Sequence, residues 1–420
     1  MELYAASYLV PISSPPVAGG ALAVDNGRIV DTGTFAELRA RYGCPVHDFP
    51  GCTILPGLVN AHTHLELTHF PSWKIRKGID YSPRTYVDWI IQVIKIRRAL
   101  TRQELELSVR EGLRICLEAG TTSIGEILTD RSLLPLYADS GLGGRLFLEA
   151  IGHDPVRSAE LISELGAAVA SFPAGDLLPG LSPHAPHTVS EQLHQNVRRL
   201  AEEYNVPRII HLAESREESD FFFDSTGKIA ELLYSHVRWE SYLPAPRRAT
   251  ATAWLDGLGV LNGAISAVHC VHLTPSDAET LAKRGVGIVL CPRSNEKLAV
   301  GRAPVAYLKK LGIPLALGTD SLASNDSLSL WDEMRYLLDL FPGVFTPSEA
   351  LAMATIGSAR QLALADRVGS IEKGKRADLL VMKLPGPQST GEGLHEAVIG
   401  SGELLHVILS GRFTDRTEPR

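Results

Sequence analysis

The feature that most restricts the fold is a repeated alternation of short β-rich runs with helix-like stretches. Eight runs fit a strand, namely "TILPGLVNAH", "TTSIGEI", "GRLFLEAIG", "DLLPGLSPH", "PRIIHLAES", "AISAVHCVH", "GVGIVLCP" and "IPLALGTDS". A loop follows each run, and most loops lead into amphipathic sequence such as "SEQLHQNVRRLAEEYN". Parallel strands joined by helical crossovers produce this alternation. The pattern predicts a (β/α)8 TIM-type barrel over residues 51–365 in a protein of the α/β class.

The two ends of the chain have a different texture. Residues 1–50 and 366–420 contain "GALAVDNGRIVDTG", "GSIEKGKRADLLVM" and "LLHVILSGR", which are alternating strands with glycine-containing turns. We therefore expect both ends to pair into one small composite β-sandwich domain beside the barrel.

Charge and composition exclude several classes of partner. The chain has 41 basic and 48 acidic residues, a net charge of −7, so it has no basic stripe suited to nucleic acid. No apolar stretch is long enough to span a bilayer, and the start of the chain lacks the pattern of a leader peptide. Five scattered cysteines without a CxxC pair argue against disulfides or a thiolate zinc site. We expect a cytoplasmic protein with reduced thiols and a small-molecule partner, and with homodimerisation left open.

Polar residues at the carboxyl ends of the predicted strands are strongly biased toward metal-binding types. Side chains at these ends converge on one mouth of a barrel. The set consists of His62 and His64 after the first strand, His184 after the fourth, His211 and Glu214 after the fifth, His269 after the sixth and Asp320 after the eighth. Burying so many ionisable groups together is costly unless a cation or a reaction uses them.

The pair His62 and His64 suits a metal ion, because alternating strand residues point to the same side. His211 and Asp320 complete a nitrogen and oxygen set appropriate for one zinc ion, with iron(II) as the alternative. Such a centre lowers the pKa of a bound water to about 7.

A single HxH pair is weak evidence, and a lone strand-end histidine is more often structural. The conjunction of an HxH pair, two further histidines and an aspartate, in this order at four separate strand ends, is much stronger. The remaining strand and helix histidines are expected to be structural or solvated, with His187 and His272 as the strongest exceptions; they are His69, His153, His187, His194, His236, His272 and His406.

The motifs together resemble the amidohydrolase superfamily, in its deaminase and chlorohydrolase branch. They include "PGLVNAHTHLE", "SPHAPHTVS", "HLAES", "HCVHLT", "LCPRSNEKLAVGRAPV" and "LGTDSLASNDSLSLWDEMR", in the family's order along nearly the whole chain. The resemblance implies one divalent metal held by His62, His64, His211 and Asp320. Binuclear relatives carry a carboxylated lysine on the fourth strand, which "DLLPGLSPHAPH" lacks, so a mononuclear centre is expected.

The resemblance also implies a mechanism. Asp320, with His269, accepts a proton from the attacking water, and Glu214 protonates the ring nitrogen beside the reacting carbon. His184 is expected to hydrogen-bond the substrate or the metal-bound oxygen. A hydrolase with another leaving group, such as a chlorotriazine or amide hydrolase, and a non-catalytic ligand-binding barrel remain alternatives.

The substrate is predicted from finer similarity. "NAHTHLEL", the helix around "WIIQVIKIRR", "HLAES" and "CPRSN" are similar to the 6-amino-6-deoxyfutalosine deaminases of menaquinone biosynthesis. Their substrate is an adenosine whose 5′ extension ends in a benzoate, which an arginine can bind bidentately. The candidates are Arg97, Arg98, Arg145 and Arg293. The alternative is a deaminase of S-adenosylhomocysteine, methylthioadenosine or another heterocycle.

Overall fold

The protein is described by a computed structural model over residues 1–79, 82–386 and 391–414. Its strands are β1 (Glu2–Leu9), β2 (Val17–Ala18), β3 (Gly20–Asp25), β4 (Arg28–Thr34), β5 (Val46–Pro56), β6 (Leu58–Thr63), β7 (Thr121–Leu128), β8 (Gly143–Ala150), β9 (Leu177–Pro183), β10 (Arg208–Leu212), β11 (Ile265–His269), β12 (Gly287–Leu290), β13 (Leu315–Leu317), β14 (Leu379–Lys383), β15 (Glu403–Leu409) and β16 (Arg412–Phe413).

The α-helices are α1 (Phe35–Arg41), α2 (Phe70–Arg76), α3 (Tyr86–Arg98), α4 (Arg102–Glu118), α5 (Leu134–Ala138), α6 (Pro155–Ala170), α7 (Glu191–Glu203), α8 (Arg216–Asp224), α9 (Tyr234–Val237), α10 (Ala251–Gly257), α11 (Pro275–Arg284), α12 (Pro292–Lys297), α13 (Val305–Lys310), α14 (Leu330–Leu340), α15 (Pro347–Ala352), α16 (Ser358–Gln361) and α17 (Glu392–Ser401). Short 3-10 turns cover Leu65–Leu67, Arg131–Leu133 and Glu240–Tyr242, and π-helical turns cover Ile229–Leu233 and Met353–Gly357. In the ranges that the structure describes, no helix has both the length and the apolar character that crossing a bilayer requires.

Strands β6 to β13 form the predicted barrel. Each pairs in parallel with its neighbour in sequence order, so all eight carboxyl ends lie at one mouth. Strands β7 and β8 are buried along their whole length, as parallel strands covered by helices must be. A typical covering helix is α7, which Ser190 caps and which buries Leu193, Val197 and Leu200 on one face.

The barrel closes between β6 and the segment that follows β13. The backbone N–H of Asp320 donates to the carbonyl of His62 at 3.1 Å, and the Thr63 hydroxyl donates to the Asp320 carbonyl at 3.0 Å. One step below, the Asn60 side-chain amide donates to the Thr319 hydroxyl at 2.7 Å, while the Thr319 N–H donates to Asn60 Oδ1 at 3.1 Å. This seam places Asp320 directly beside the HxH pair.

The two ends of the chain pair with each other, as predicted, and they do so within one mixed sheet. Its strand order is β16-β15-β14-β5-β1-β3-β4, with β2 paired to β1. Strand β14 lies antiparallel between β5 and β15, so the end of the chain completes a sheet that the beginning starts. Strand β5 runs to Pro56, across the predicted boundary at residue 50, and leads within two residues into the first barrel strand.

The close approach of β6 and the end of β13 requires a glycine at position 318. A Cβ added at Gly318 would lie 2.8 Å from the Cβ of His62 and 2.9 Å from its backbone N and O. We expect Gly318→Ala to lower the free energy of unfolding by about 1–3 kcal/mol, because the seam must open to admit the methyl group.

The control is Gly257→Ala near the end of α10, where an added Cβ meets nothing within 4 Å. Urea denaturation of the two variants and the parent chain measures the difference. Equal midpoints for the two variants would contradict the packing argument.

Candidate metal centre and active site

Four donor groups from three parts of the barrel mouth meet in one place. Ring nitrogens of His62, His64 and His211 lie within 4.8 Å of one another. The Nε2 atoms of His62 and His64 are 3.2 Å apart, and Asp320 Oδ1 lies 3.8 Å and 3.7 Å from them. Ligand atoms about 2.0–2.1 Å from a tetrahedral zinc ion are about 3.4 Å apart. The spacing and chemistry of this donor set therefore fit one divalent metal ion.

Neighbouring groups orient the donors. The Nδ1 of His211 lies 2.8 Å from the His184 carbonyl, which assigns the proton to Nδ1 and leaves Nε2 as a metal-binding lone pair. The hydroxyls of Ser294 and Ser324 both donate to Asp320 Oδ2 at 2.7 Å. Oδ1 of the same carboxylate is thus free of these hydroxyls and faces His62 and His64.

The electrostatics favour neutral imidazoles. Burial, followed by the neighbouring histidines, lowers the pKa of His62 well below its usual value. Burial likewise lowers the pKa of His64 to about 3 and that of His211 to about 4. Neutral imidazole is the form that binds a metal ion. These three histidines therefore need not lose a proton when a metal ion binds near neutral pH.

An uncommon backbone conformation sets the direction of two side chains, those of Asp320 and His269. Asp320 has a φ of 58° and His269 a φ of 70°, both in the left-handed region. Val268 already packs inside the barrel, so strict strand alternation would turn His269 outward. The left-handed backbone instead directs its ring to the mouth, where Nδ1 hydrogen-bonds Asn295 Oδ1 at 2.9 Å. Such uncommon conformations persist where surrounding contacts enforce them.

Glu214 lies beside the donor cluster as a buried acid. One of its oxygens accepts a hydrogen bond from the Tyr86 hydroxyl at 2.8 Å, and the other lies 3.7 Å from His269 Nε2. Burial raises the pKa of Glu214 to about 7, with Asp320 acting in the same direction and His211 and Tyr86 opposing. A carboxyl group with this pKa carries a proton part of the time at neutral pH and can donate it.

A cavity of about 350 Å³ joins these residues to the surface. His184, predicted to contact the substrate, lines it together with Glu214, His269 and Asp320. The outer wall is largely apolar and is built by one face of α3, the turn before α9, α9 itself and the segment after it; its residues include Trp89, Ile90, Val93, Ile94, Leu233, Val237 and Trp239. The site can therefore take a ligand with a polar head and an apolar extension.

The four candidate arginines divide into two pairs. Arg97 and Arg98, at the end of α3, line the cavity. Arg145 does not, because it lies near the start of β8, where its guanidinium donates to the carbonyls of Leu362 and Pro179.

Arg293 also lies outside the cavity, where it pairs with Asp326 and lies 3.4 Å from Asn325 Oδ1. The structure therefore corrects the predicted substrate contacts of Arg145 and Arg293, which instead brace the barrel and the loop after Asp320.

Three cavity residues were missed by the sequence analysis or assigned to structure. Tyr86 follows the N-cap of α3, and its sequence context carries no signal for a contact with Glu214. Glu149 stands at the carboxyl end of β8 and could have been identified by the strand-end rule. His187 is buried on the cavity wall, and neither of its ring nitrogens has a hydrogen-bond partner among the described residues. By contrast, His69 is not among the residues that line the cavity.

Comparison with known proteins gives the family. The model of the "Amidohydrolase family" matches residues 53–414. A 5-methylthioadenosine/S-adenosylhomocysteine deaminase of Moorella thermoacetica is 30% identical over 390 residues, which cover 90% of this chain and 85% of the relative.

Two solved structures match the fold. An adenosine deaminase from Xanthomonas campestris with bound zinc has a TM-score of 0.80 at 27% identity and covers 98% of this chain and 92% of its own. Helicobacter pylori aminofutalosine deaminase in complex with methylthio-coformycin has a TM-score of 0.87 at 22% identity, with coverage of 99% and 100%.

The chain belongs to the amidohydrolase family, as its motifs predicted. It is a hydrolase acting on carbon–nitrogen bonds, and its barrel, terminal sheet and histidine cluster agree with a member of the deaminase branch that uses a divalent metal.

We expect the purified protein to bind one zinc ion per chain, because only one set of converging donors was found among the described residues. His64→Ala should weaken zinc binding by more than about 100-fold, since loss of a direct ligand exceeds the 10- to 100-fold cost of losing a supporting hydrogen bond. Elemental analysis and competition with a chelating dye measure both quantities. The control is His69→Ala, five residues along the same segment, which should keep full zinc content. Two ions per chain would contradict the mononuclear site.

Proposed function

We propose that this chain is a metal-dependent hydrolytic deaminase of adenosine-type nucleosides. The observation that carries the proposal is the position of Glu214, a buried and partly protonated acid beside the four-donor cluster in the same cavity. A non-catalytic binder has no need of both a metal-ligand set and a proton donor. Relatives named as 5-methylthioadenosine/S-adenosylhomocysteine deaminases support an adenosine-type substrate.

In this proposal His62, His64, His211 and Asp320 hold a zinc ion, or alternatively iron(II). The metal would supply an activated water at neutral pH. The chain's own residues manage the protons. Asp320, whose carboxylate stays ionised because His64, His269 and two serine hydroxyls outweigh its burial, accepts the proton of the attacking water. His269, whose Nε2 lies 3.7 Å from a Glu214 oxygen and whose ring interacts electrostatically with Asp320, assists this transfer.

Glu214 donates its proton to the ring nitrogen adjacent to the amino-bearing carbon as water attacks that carbon. Negative charge then need not accumulate on the ring. The amino group receives the proton taken from water, the carbon–nitrogen bond breaks and ammonia leaves. The remaining hydroxyl proton passes to Glu214 as the carbonyl forms, which restores the protonated acid. Tyr86 holds the Glu214 carboxyl in position through its hydroxyl, and His184 hydrogen-bonds the bound base.

The proposed substrate is 6-amino-6-deoxyfutalosine, which would be converted to futalosine and ammonia in menaquinone biosynthesis. Arg98 supports this choice, because it carries an exposed guanidinium at the end of the apolar cavity wall, where a benzoate at the far end of the molecule would lie. S-adenosylhomocysteine is the second candidate, favoured by the names of the relatives. Its extension also ends in a carboxylate, whereas methylthioadenosine has none.

Glu214→Gln should keep its zinc while kcat/KM for deamination falls at least about 100-fold, because an amide cannot donate the acidic proton. The control is Glu217→Gln, which removes a carboxyl three residues along the chain and outside the cavity lining. The loss of adenosine-type absorbance on deamination, read together with zinc content, separates catalysis from metal binding. Near-normal turnover by Glu214→Gln would remove its assigned role.

The substrate assignment predicts an order of kcat/KM among aminodeoxyfutalosine, S-adenosylhomocysteine, methylthioadenosine, adenosine and guanine. Aminodeoxyfutalosine should rank first, and Arg98→Ala should reduce its advantage over neutral methylthioadenosine while leaving methylthioadenosine turnover nearly unchanged. Ammonia release distinguishes deamination from dechlorination of a chlorotriazine. A first rank for S-adenosylhomocysteine would replace the narrow assignment while the deaminase proposal stands.

A further inference from the structure

A second group of buried charges lies beside the metal-binding donors and has no part in the proton transfers above. It consists of Glu66, Arg97 and Glu149, which we call the acidic triad, with Thr129 next to them. Glu66 and Glu149 are 1% and 7% exposed. Arg97, Thr129 and Glu149 line the same cavity as the donor cluster.

Both carboxylate oxygens of Glu66 lie against protein groups. One carboxylate oxygen accepts the backbone N–H of Thr129 and that of Asp130, each at 3.0 Å. The other oxygen lies 2.6 Å from an Arg97 Nη atom. Arg97 is thus already neutralised by a buried carboxylate, which disfavours it as the partner of a substrate carboxylate.

Glu149 is in a different situation. Glu149 lies two residues after Phe147, which faces the barrel interior. Its neighbours Leu148 and Ala150 pack against the outer helices. Strand alternation therefore points the Glu149 side chain into the barrel mouth. Burial raises the pKa of Glu149, and the groups that oppose this rise are the Thr129 side chain, through a hydrogen bond, and Arg97 and His211, through charge. A buried carboxyl group has room for several hydrogen bonds, so acceptor capacity remains toward the cavity.

The triad has two carboxyl groups for one guanidinium. A ligand group placed against Glu149 must therefore bring hydrogen-bond donors without negative charge. The neutral donors of an adenosine-type nucleoside, apart from the amino group that is removed, are the ribose hydroxyls.

We propose that Glu149 binds the ribose 2′- and 3′-hydroxyls of the substrate, with Arg97 held in place by Glu66 as the support of that site. This inference rests on the proposed function and sharpens it. The acidic triad binds the ribose hydroxyls and disfavours negatively charged groups. A carboxylate on the 5′ extension is therefore directed to Arg98 and away from Arg97. Glu149 is then a specificity-determining residue that leaves the proton transfers to Glu214 and Asp320.

The test uses adenosine, 2′-deoxyadenosine and 3′-deoxyadenosine with the zinc-loaded wild-type protein and with Glu149→Gln. In the wild type, at least one deoxy compound should have a kcat/KM at least about tenfold below that of adenosine, the range expected for a hydrogen bond to a charged group. In Glu149→Gln, kcat/KM for adenosine should fall about as much, whereas that for the discriminated deoxy compound should change less than about threefold. The control is Glu203→Gln, an exposed carboxyl on α7, which should preserve the wild-type ratios.

Equal rates for all three compounds in the wild type would overturn the inference without reference to any variant. A Glu149→Gln protein that binds zinc and keeps the wild-type discrimination would overturn it as well. Both results leave the deaminase proposal intact. If the wild type deaminates neither these compounds nor the larger nucleosides, the proposed function itself fails.

Discussion

The hydrogen bond from the Asp320 amide to the His62 carbonyl is the contact on which the rest of the site depends. It closes a ring of eight strands, and it joins the first strand end to the last, about 260 residues apart in sequence. Without closure, the HxH pair and the carboxylate would belong to opposite edges of an open sheet. Closure is possible because Gly318 leaves no Cβ against His62 and because Asn60 and Thr319 satisfy each other's polar groups in the buried seam.

The seam also carries an electrostatic cost. Five imidazoles and two carboxyl groups lie largely out of water at the barrel mouth, and burial favours the neutral form of each. Of these seven groups, Asp320 is the one at which the neighbouring groups outweigh burial and lower the pKa of the carboxyl. Asp320 remains ionised because it has both hydroxyl donors and the adjacent imidazoles. Two buried carboxyl groups in one cavity are thus kept in different protonation states by different neighbours, which is the arrangement that separates an acid from a base.

Much of this could be predicted from the sequence, and the exceptions have physical causes. The strand-end rule identified the donors because a barrel brings its carboxyl ends together whatever the loops do. For Arg145 and Arg293, residue type is the only signal in the sequence for a contact with substrate. Arg145 is the third residue of β8 and so lies far from the mouth, while Arg293 belongs to the short helix after β12. On the same strand, Glu149 stands at the carboxyl end, where the strand-end rule places site residues, whereas Arg145 does not.

Tyr86 could not have been found from the sequence, since its contact with Glu214 depends on how α3 packs across the mouth. The left-handed backbone at His269 is a second such case: simple alternation along β11 gives the wrong face. Long-range packing and local strain are therefore the two kinds of information that the pattern of residue types did not contain.

Helix α3 connects the parts of the site. Its first residue, Tyr86, holds the acid, its middle supplies the apolar wall through Trp89, Ile90, Val93 and Ile94, and its last residue, Arg98, lies at the far end. Thirteen residues at 1.5 Å each span about 18 Å from the first to the last. The helix therefore contributes to the site from the Glu214 carboxyl to the outer part of the cavity. The same helix places Arg97 against Glu66 one residue before Arg98, so one guanidinium is paired with a carboxylate while the next is exposed and lines the cavity.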